Sequence, residues 1–278
     1  MSLPPRLEKF LIEACDLVFA VTPQKLPQRK LLEECRIVSH RGIHDNLQSK
    51  ENTLEAFDLA EQKGIWGIEL DFRWTRDLVP VVVHDPDLDR VFGINKKIAE
   101  LDFEALTNLC PQVPSLEQVV GKYGGKMHLM IEVKQEPYPN RRQQDLILEQ
   151  IFSVISPCQD YHLISLEPEM LERIECVPNW AKMPVAELNV SRLSQIALEE
   201  NYAGILGHYF LIGGDVVKKH LHAGQEIGTG YPNSRNGLSR EINRGVNWLF
   251  SNDAEELDRI RRDLLQEYEK DRFLLSPP

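Results

Sequence analysis

The sequence predicts an α/β chain folded as a (β/α)8 barrel, with an N-terminal helical extension and a β-hairpin after the second strand. Two patterns and one chemical feature carry this. From Arg36 onward, short β-rich runs alternate with helical patterns, and eight such units in about 250 residues match the size of a barrel. Several runs also end in charged residues, where barrel proteins place their chemistry. On strand counting alone, an open doubly wound sheet is the rival arrangement.

The elements follow in order. Leu7, Phe10, Leu11, Ala14, Leu17, Val18 and Val21 fall at helical spacing in a segment that carries a net charge of +2 through Lys30, so residues 1–35 read as an amphipathic extension. Such a helix covers one end of the domain or, in the competing reading, touches a membrane surface. The barrel domain is then 36–278. Its candidate strands are Ile37–Ser39, Ile65–Phe72, Met127–Val133, His162–Leu166, Pro184–Leu188, Gly204–Gly207, Ile227–Gly230 and Val246–Phe250. Helical patterns between them include Thr53–Gln62, with Thr53 as N-cap, Leu116–Lys122, Gln144–Ile155 and Ser191–Glu200. Val79–His84 follows the second strand too closely for a crossover helix and is expected to fold back as a hairpin. Residues 86–114 read as a modest insertion, too short for a separate domain.

Composition removes several classes of function. The chain has 278 residues, 42% of them hydrophobic, with 32 Lys+Arg against 43 Asp+Glu and a net charge of −11. That acidity disfavours nucleic-acid binding, and an anionic substrate would need a local cation. Five cysteines without a CxxC pair suggest neither a disulfide framework nor a zinc site. Leu17–Val21, the most apolar early stretch, is too short for a membrane span and follows Glu8, Glu13 and Asp16. A cytoplasmic setting is expected, and oligomeric state is left open.

At the strand ends the sequence becomes polar. Glu69 and Asp71 are two apart on one strand and so share a side. Glu132 ends the neighbouring strand and would bring a third carboxylate, an all-oxygen set suited to Mg²⁺ or Ca²⁺. Salt bridges to Arg41, Arg73 or Lys134 are the competing explanation, although three buried acids without a cation would be costly. His40 and His84 end two other runs and suit proton transfer, while Arg41 and Lys134 suit phosphoryl oxygens.

His40-Arg41-Gly42, Glu51-Asn52-Thr53-Leu54-Glu55-Ala56-Phe57, Gly67-Ile68-Glu69-Leu70-Asp71, Pro80-Val81-Val82-Val83-His84-Asp85, Leu88-Asp89-Arg90 and Ile131-Glu132-Val133-Lys134 together resemble the glycerophosphodiester phosphodiesterase family, strongly over 37–134 and more loosely to about residue 256. The resemblance implies a TIM barrel of the phosphatidylinositol-phospholipase-C-like kind. It implies a divalent cation held by Glu69, Asp71 and Glu132, His40 and His84 as acid/base pair, Arg41 and Lys134 as phosphate contacts, and Glu51 and Asn52 as support. It also implies a small phosphodiester substrate cleaved to glycerol 3-phosphate and an alcohol, hence a role in lipid and glycerol metabolism.

The chain departs from the family pattern in places. Gly228-Thr229-Gly230-Tyr231 stands where the family commonly has Trp-Thr-Val-Asn, with Tyr231, Asn233 or Arg235 as candidates to fill the pocket. Leu166 follows Ser165 where Phe is usual, and Ser251-Asn252-Asp253 stands where Thr-Asp is usual. These departures are expected to bear on specificity and not on the metal and histidine set. They keep open a phospholipase-D-like activity on lysophospholipids at a membrane surface, and a non-catalytic barrel that binds a phosphorylated ligand.

Overall fold

The computed structural model describes residues 16–275, with side chains through residue 269. Eight parallel strands close into a barrel: β1 (Arg36–His40), β2 (Gly67–Trp74), β6 (His128–Val133), β7 (Tyr161–Ser165), β8 (Lys182–Ala186), β9 (Gly204–His208), β10 (Glu226–Gly230) and β11 (Trp248–Ser251). β1 pairs in parallel with both β2 and β11, so no open edge remains between first and last strand. Closure of the ring decides against the open sheet.

The expected hairpin is present. β3 (Pro80–Val82) runs antiparallel to β2, with Phe72 opposite Val82. The inserted stretch holds its own short antiparallel pair, β4 (Asp87–Leu88) and β5 (Ile94–Lys97), over a small core with Val81, Leu88, Ile98 and Leu106. Helix starts follow local chemistry: Thr53 Oγ1 accepts from the Ala56 amide, and Ser115 forms a reciprocal cap with Gln118.

Alternation along the strands sorts side chains into two layers. Ile37, Ile68, Leu70, Ile131 and Leu163 face the helices, whereas Val38, Met130, Ile164, Met183, Leu206, Trp248 and Phe250 fill the barrel. The barrel is therefore plugged, and polar groups collect above the plug at the carboxyl ends of the strands.

Residues 1–15 of the expected N-terminal extension lie outside the described residues. Residues 16–21 are helical, and Arg29–Glu34 forms a further helix. Phe19 lies 5.1 Å from the Tyr209 ring in a tilted pair and carries the Arg240 guanidinium 4.2 Å from its centroid, while Leu17, Val18 and Val21 are exposed. Among the described residues, no helix is long and apolar enough to cross a membrane.

Candidate active site

β1 ends at His40, and the chain then turns through two residues of positive φ, Arg41 (59°) and Gly42 (81°). A Cβ on residue 42 would stand 2.8 Å from Ala56 atoms, so the second position needs glycine. This turn brings the Arg41 amide to Glu69, 3.0 Å from its carbonyl oxygen and 3.1 Å from Oε2.

Register then assembles the acids. His40 stands beside Glu69 across the β1–β2 pair, and Asp71 stands directly beside Glu132 across β2–β6. Oxygens of Glu69, Asp71 and Glu132 come within 4.8 Å of one another, and all three residues are buried. Burial, with Asp71 and Glu132 adding to it, holds the Glu69 carboxyl well above its usual range. Burial and then Asp71 likewise raise Glu132. For Asp71, burial works in the same direction but is outweighed by Lys134 and Arg41, which keep it well below the usual carboxylate range.

Both cations are shared among these acids. Lys134 Nζ lies 2.7 Å from Asp71 Oδ1 and 2.6 Å from Glu132 Oε1. Arg41 donates to Glu51 Oε1 at 2.9 Å and its Nε sits 3.2 Å from Asp71 Oδ2. Salt bridging therefore accounts for Asp71 and for one oxygen of Glu132. It leaves Glu69 Oε1 buried without a hydrogen-bond partner. An unsatisfied carboxylate oxygen beside two further carboxylates is a donor set that fits a hard divalent cation.

Glu51 and Asn52 stand behind this layer. Asn52 Nδ2 donates to Asp71 Oδ2 at 2.8 Å. Glu51 receives Arg41, Asn46 Nδ2 at 2.7 Å and both terminal nitrogens of Arg90 at 2.9 and 2.6 Å. Burial opposes its ionisation, yet Arg90, Asn46 and Arg41 hold the carboxyl down at about 2.

The two histidines have different partners. His40 Nδ1 is 2.6 Å from Asn252 Oδ1, and its Nε2 is 3.7 Å from Glu69 Oε2. An amide oxygen can only accept, so Nδ1 carries the proton and Nε2 is the acceptor. Burial, then Arg41, lowers its pKa to about 4. His84 Nδ1 instead meets the Asp85 carboxylate at 2.7 Å, and Asp85 is held by Arg90 Nε at 2.5 Å. Burial lowers His84 as well, against the pull of Asp71.

His40, Arg41, Glu69, His84, Glu132 and Lys134 all line one cavity of about 440 Å³, and Asp71 lies just beneath it. The opposite wall is apolar, built from residues such as Ile164, Leu166, Val185, Leu188, Phe210 and Leu211. Tyr231 joins this lining, its ring 5.2 Å from that of His40. Asn233 and Arg235, the other candidates for that place, bond instead to Asp16 and Glu267.

All nine expected site residues thus gather at one rim. Sequence reading missed the roles of Asp85, Arg90 and Asn252. Arg90 had a signal, since Leu88-Asp89-Arg90 was part of the resemblance, but its reach to Glu51 crosses the insertion. Asn252 corrects an expectation: that departure touches the histidine set directly and not specificity alone.

A closed parallel barrel whose carboxyl end carries three acids, two histidines and two cations around one cavity defines a TIM-barrel protein of the phosphodiesterase kind. The profile of the glycerophosphoryl diester phosphodiesterase family matches residues 40–207, and the chain belongs to that family. Rat glycerophosphodiester phosphodiesterase 1 is 35% identical over 95 residues, 32% of this chain and 28% of that protein. A human lysophospholipase D is 42% identical over 73 residues, 26% of this chain and 22% of that protein. The chain thus spans less than a third of the length of these curated relatives. Among solved structures, an Oleispira antarctica phosphodiesterase in complex with the product sn-glycerol-3-phosphate superposes with a TM-score of 0.68 at 22% identity, covering 83% of this chain and 98% of that one.

Proposed function

We propose that the protein hydrolyses glycerophosphodiesters to glycerol 3-phosphate and an alcohol, with His40 and His84 as acid/base pair. The observation that carries this reading is the buried set of Glu69, Asp71 and Glu132, with oxygens within 4.8 Å, flanked by both histidines in one cavity. Glu69, Asp71 and Glu132 would hold Mg²⁺ or Ca²⁺, which neutralises the phosphodiester and supports charge in the transition state. Arg41 and Lys134 turn toward the same cavity and orient the phosphoryl oxygens. Glu51 and Asn52 keep Arg41 and Asp71 in place.

The partners of the histidines divide the proton work. His40 presents an unprotonated Nε2 and takes the proton of the attacking oxygen, either of water or of a neighbouring substrate hydroxyl, which closes a cyclic phosphate that water must then open to give glycerol 3-phosphate. His84, backed by the Asp85 carboxylate, carries a proton better and gives it to the alcohol oxygen as the bond from phosphorus breaks. Residues 36–278 form the catalytic barrel in this reading and 1–35 an extension. The cysteine pattern supports a cytoplasmic setting, and the product class a role in lipid and glycerol metabolism.

The apolar cavity wall favours a second reading, in which the same chemistry acts on lysophospholipids and the exposed Leu17, Val18 and Val21 meet the lipid surface. One assay tests both. Purified protein with Mg²⁺ or Ca²⁺ is given glycerophosphocholine or lysophosphatidylcholine, with and without chelator. Chelator-sensitive release of glycerol 3-phosphate that Glu69→Ala abolishes is expected; head-group release much faster from the lysolipid selects the second reading. No turnover of any phosphodiester would leave only a ligand-binding barrel.

A further inference from the structure

Three elements that carry the site meet at an arginine that does not line the cavity. Arg73 is on β2, two residues past Asp71. Its Nε donates to the backbone carbonyl oxygen of His84 at 2.7 Å, and its Nη1 lies 3.4 Å from Glu136 Oε2. Glu136, two residues past Lys134, uses its other oxygen to accept the Trp74 amide at 2.8 Å. Both charged side chains are largely enclosed, at 12% and 13% exposure. One guanidinium thus ties together β2 with its acids, the turn that carries His84, and the loop leaving Lys134.

The ladder explains why such a tie is needed. Pairing of β2 with β3 ends at Phe72 opposite Val82, and one more backbone bond runs from the Val83 amide to the Asp71 carbonyl oxygen at 2.9 Å. His84 lies beyond that point, and the hydrogen bond to its carbonyl comes from a side chain. Backbone held this way shifts when the side chain is removed, and a histidine displaced by about 1 Å is a poor proton donor.

We infer that Arg73 and Glu136 form a positioning clamp for His84, setting where its imidazole stands against the leaving oxygen without touching substrate. The clamp rests on the reading of His84 as proton donor. It predicts a selective defect, because a leaving group that departs as a stable anion needs no proton. Arg73 would matter for alkyl leaving groups and little for aryl ones.

The test compares glycerophosphoethanolamine with glycerol 3-(p-nitrophenyl phosphate), using metal-loaded wild type, Arg73→Met, Arg73→Lys, Glu136→Gln and His84→Gln. Arg73→Met is expected to lower kcat on the alkyl substrate on the order of ten-fold or more with KM little changed, and on the aryl substrate by less than about three-fold. Arg73→Lys recovers part of the loss, and Glu136→Gln shows the same selectivity with a smaller effect. Added to His84→Gln, Arg73→Met costs nothing further. Equal losses on both substrates, or losses that add to those of His84→Gln, overturn the clamp. If His84→Gln itself is unselective, the donor assignment falls and the clamp with it. A selective His84→Gln beside an unselective Arg73→Met overturns the clamp alone. Should Arg73→Met fail to fold, Glu136→Gln carries the same comparison.

Discussion

Replacing Glu69 by Gln separates a cation site from an ordinary buried salt-bridge cluster, because the two predict opposite signs. Glu69 Oε1 has no hydrogen-bond partner, and the carboxyl sits within 4.8 Å of Asp71 and Glu132. Two unit charges at that separation repel by about 3 kcal/mol at an effective dielectric of ~20. Gln keeps the shape, keeps an oxygen for the Arg41 amide and turns two N–H donors toward the neighbouring carboxylates. Without metal, Glu69→Gln should therefore melt no lower than wild type, with a gain of up to about 3 kcal/mol as the upper bound. Saturating cation should reverse the order. At a hundred times its Kd, a cation bound only by the folded state adds about 2.7 kcal/mol, roughly 5–10 °C in Tm for a chain of this size. Scanning calorimetry in chelator, Mg²⁺ and Ca²⁺ should then show a shift in wild type that is absent from Glu69→Gln. A metal shift that survives the substitution, or a metal-free variant several degrees less stable than wild type, would rule out a cation site at Glu69.

His128 and His162 pair at 2.9 Å in the barrel, and burial holds them at about 4 and about 3. They stay neutral in the fold while the unfolded chain binds protons below about pH 6.5, so stability is present above that pH and is lost as pH falls toward 4. Each contributes a slope of about 1.4 kcal/mol per pH unit, and urea titrations of His162→Gln between pH 6 and 4.5 should lose one such slope; an unchanged slope contradicts this. Asn252→Ala frees the His40 ring and is expected to cost on the order of ten-fold in kcat with KM nearly constant, whereas a pure KM change would assign Asn252 to substrate binding. Leu188→Ser removes apolar wall and should slow lysophosphatidylcholine turnover about ten-fold or more while glycerophosphocholine stays within about two-fold; parallel losses count against the second reading. Ser194 Oγ and His220 Nε2 lie 2.8 Å apart, with His220 Nδ1 on Gln225, which looks like a nucleophile and base. Both are buried between helices, so Ser194→Ala should cost about 1–3 kcal/mol on chemical denaturation and leave turnover intact.

Much of the fold was legible because its signals are local. Each of the eight expected strands lies within two residues of an observed one, since alternation and flanking turns mark them. The largest shifts, two residues at each end, are at β2 and at β8, the latter read as Pro184–Leu188 and observed as Lys182–Ala186. A buried lysine opens that strand, its Nζ satisfied by the Ile174 carbonyl at 2.7 Å, and a polar first residue hides a strand start. In the site, Glu69 with Asp71 follows from a period of two, and motif order supplied the rest. Arg90, Asn252 and Arg73 with Glu136 were not legible as partners because their contacts cross 39, 212 and 63 residues of chain. Side chains that act on other side chains leave no periodic trace.

The same network bears on how an acidic protein, at −11, would receive a phosphodiester. Glu51, Glu69, Asp71, Asp85 and Glu132 are linked with Arg41, Arg90 and Lys134 through shared ion pairs and one acid cluster. Fully ionised, five carboxylates against three fixed cations carry two formal negative charges, the amount that one divalent cation cancels, and without a cation the raised Glu69 and Glu132 carboxyls relieve part of that excess. The fixed cations are spent on the wrong side of the balance: Arg90 holds Glu51 and Asp85, and Lys134 is divided between Asp71 and Glu132. Left so, the rim offers an anion little free positive charge, since each fixed cation is already paired with carboxylates. A divalent cation at Glu69 would remove that excess and loosen the hold of Asp71 and Glu132 on Lys134 and Arg41. Those two side chains would then turn their charge to the phosphoryl oxygens. Metal and substrate binding would thereby be coupled, and substrate affinity should rise with cation occupancy even in a His40→Gln background, where turnover is expected to be lost; affinity indifferent to chelator would break the coupling.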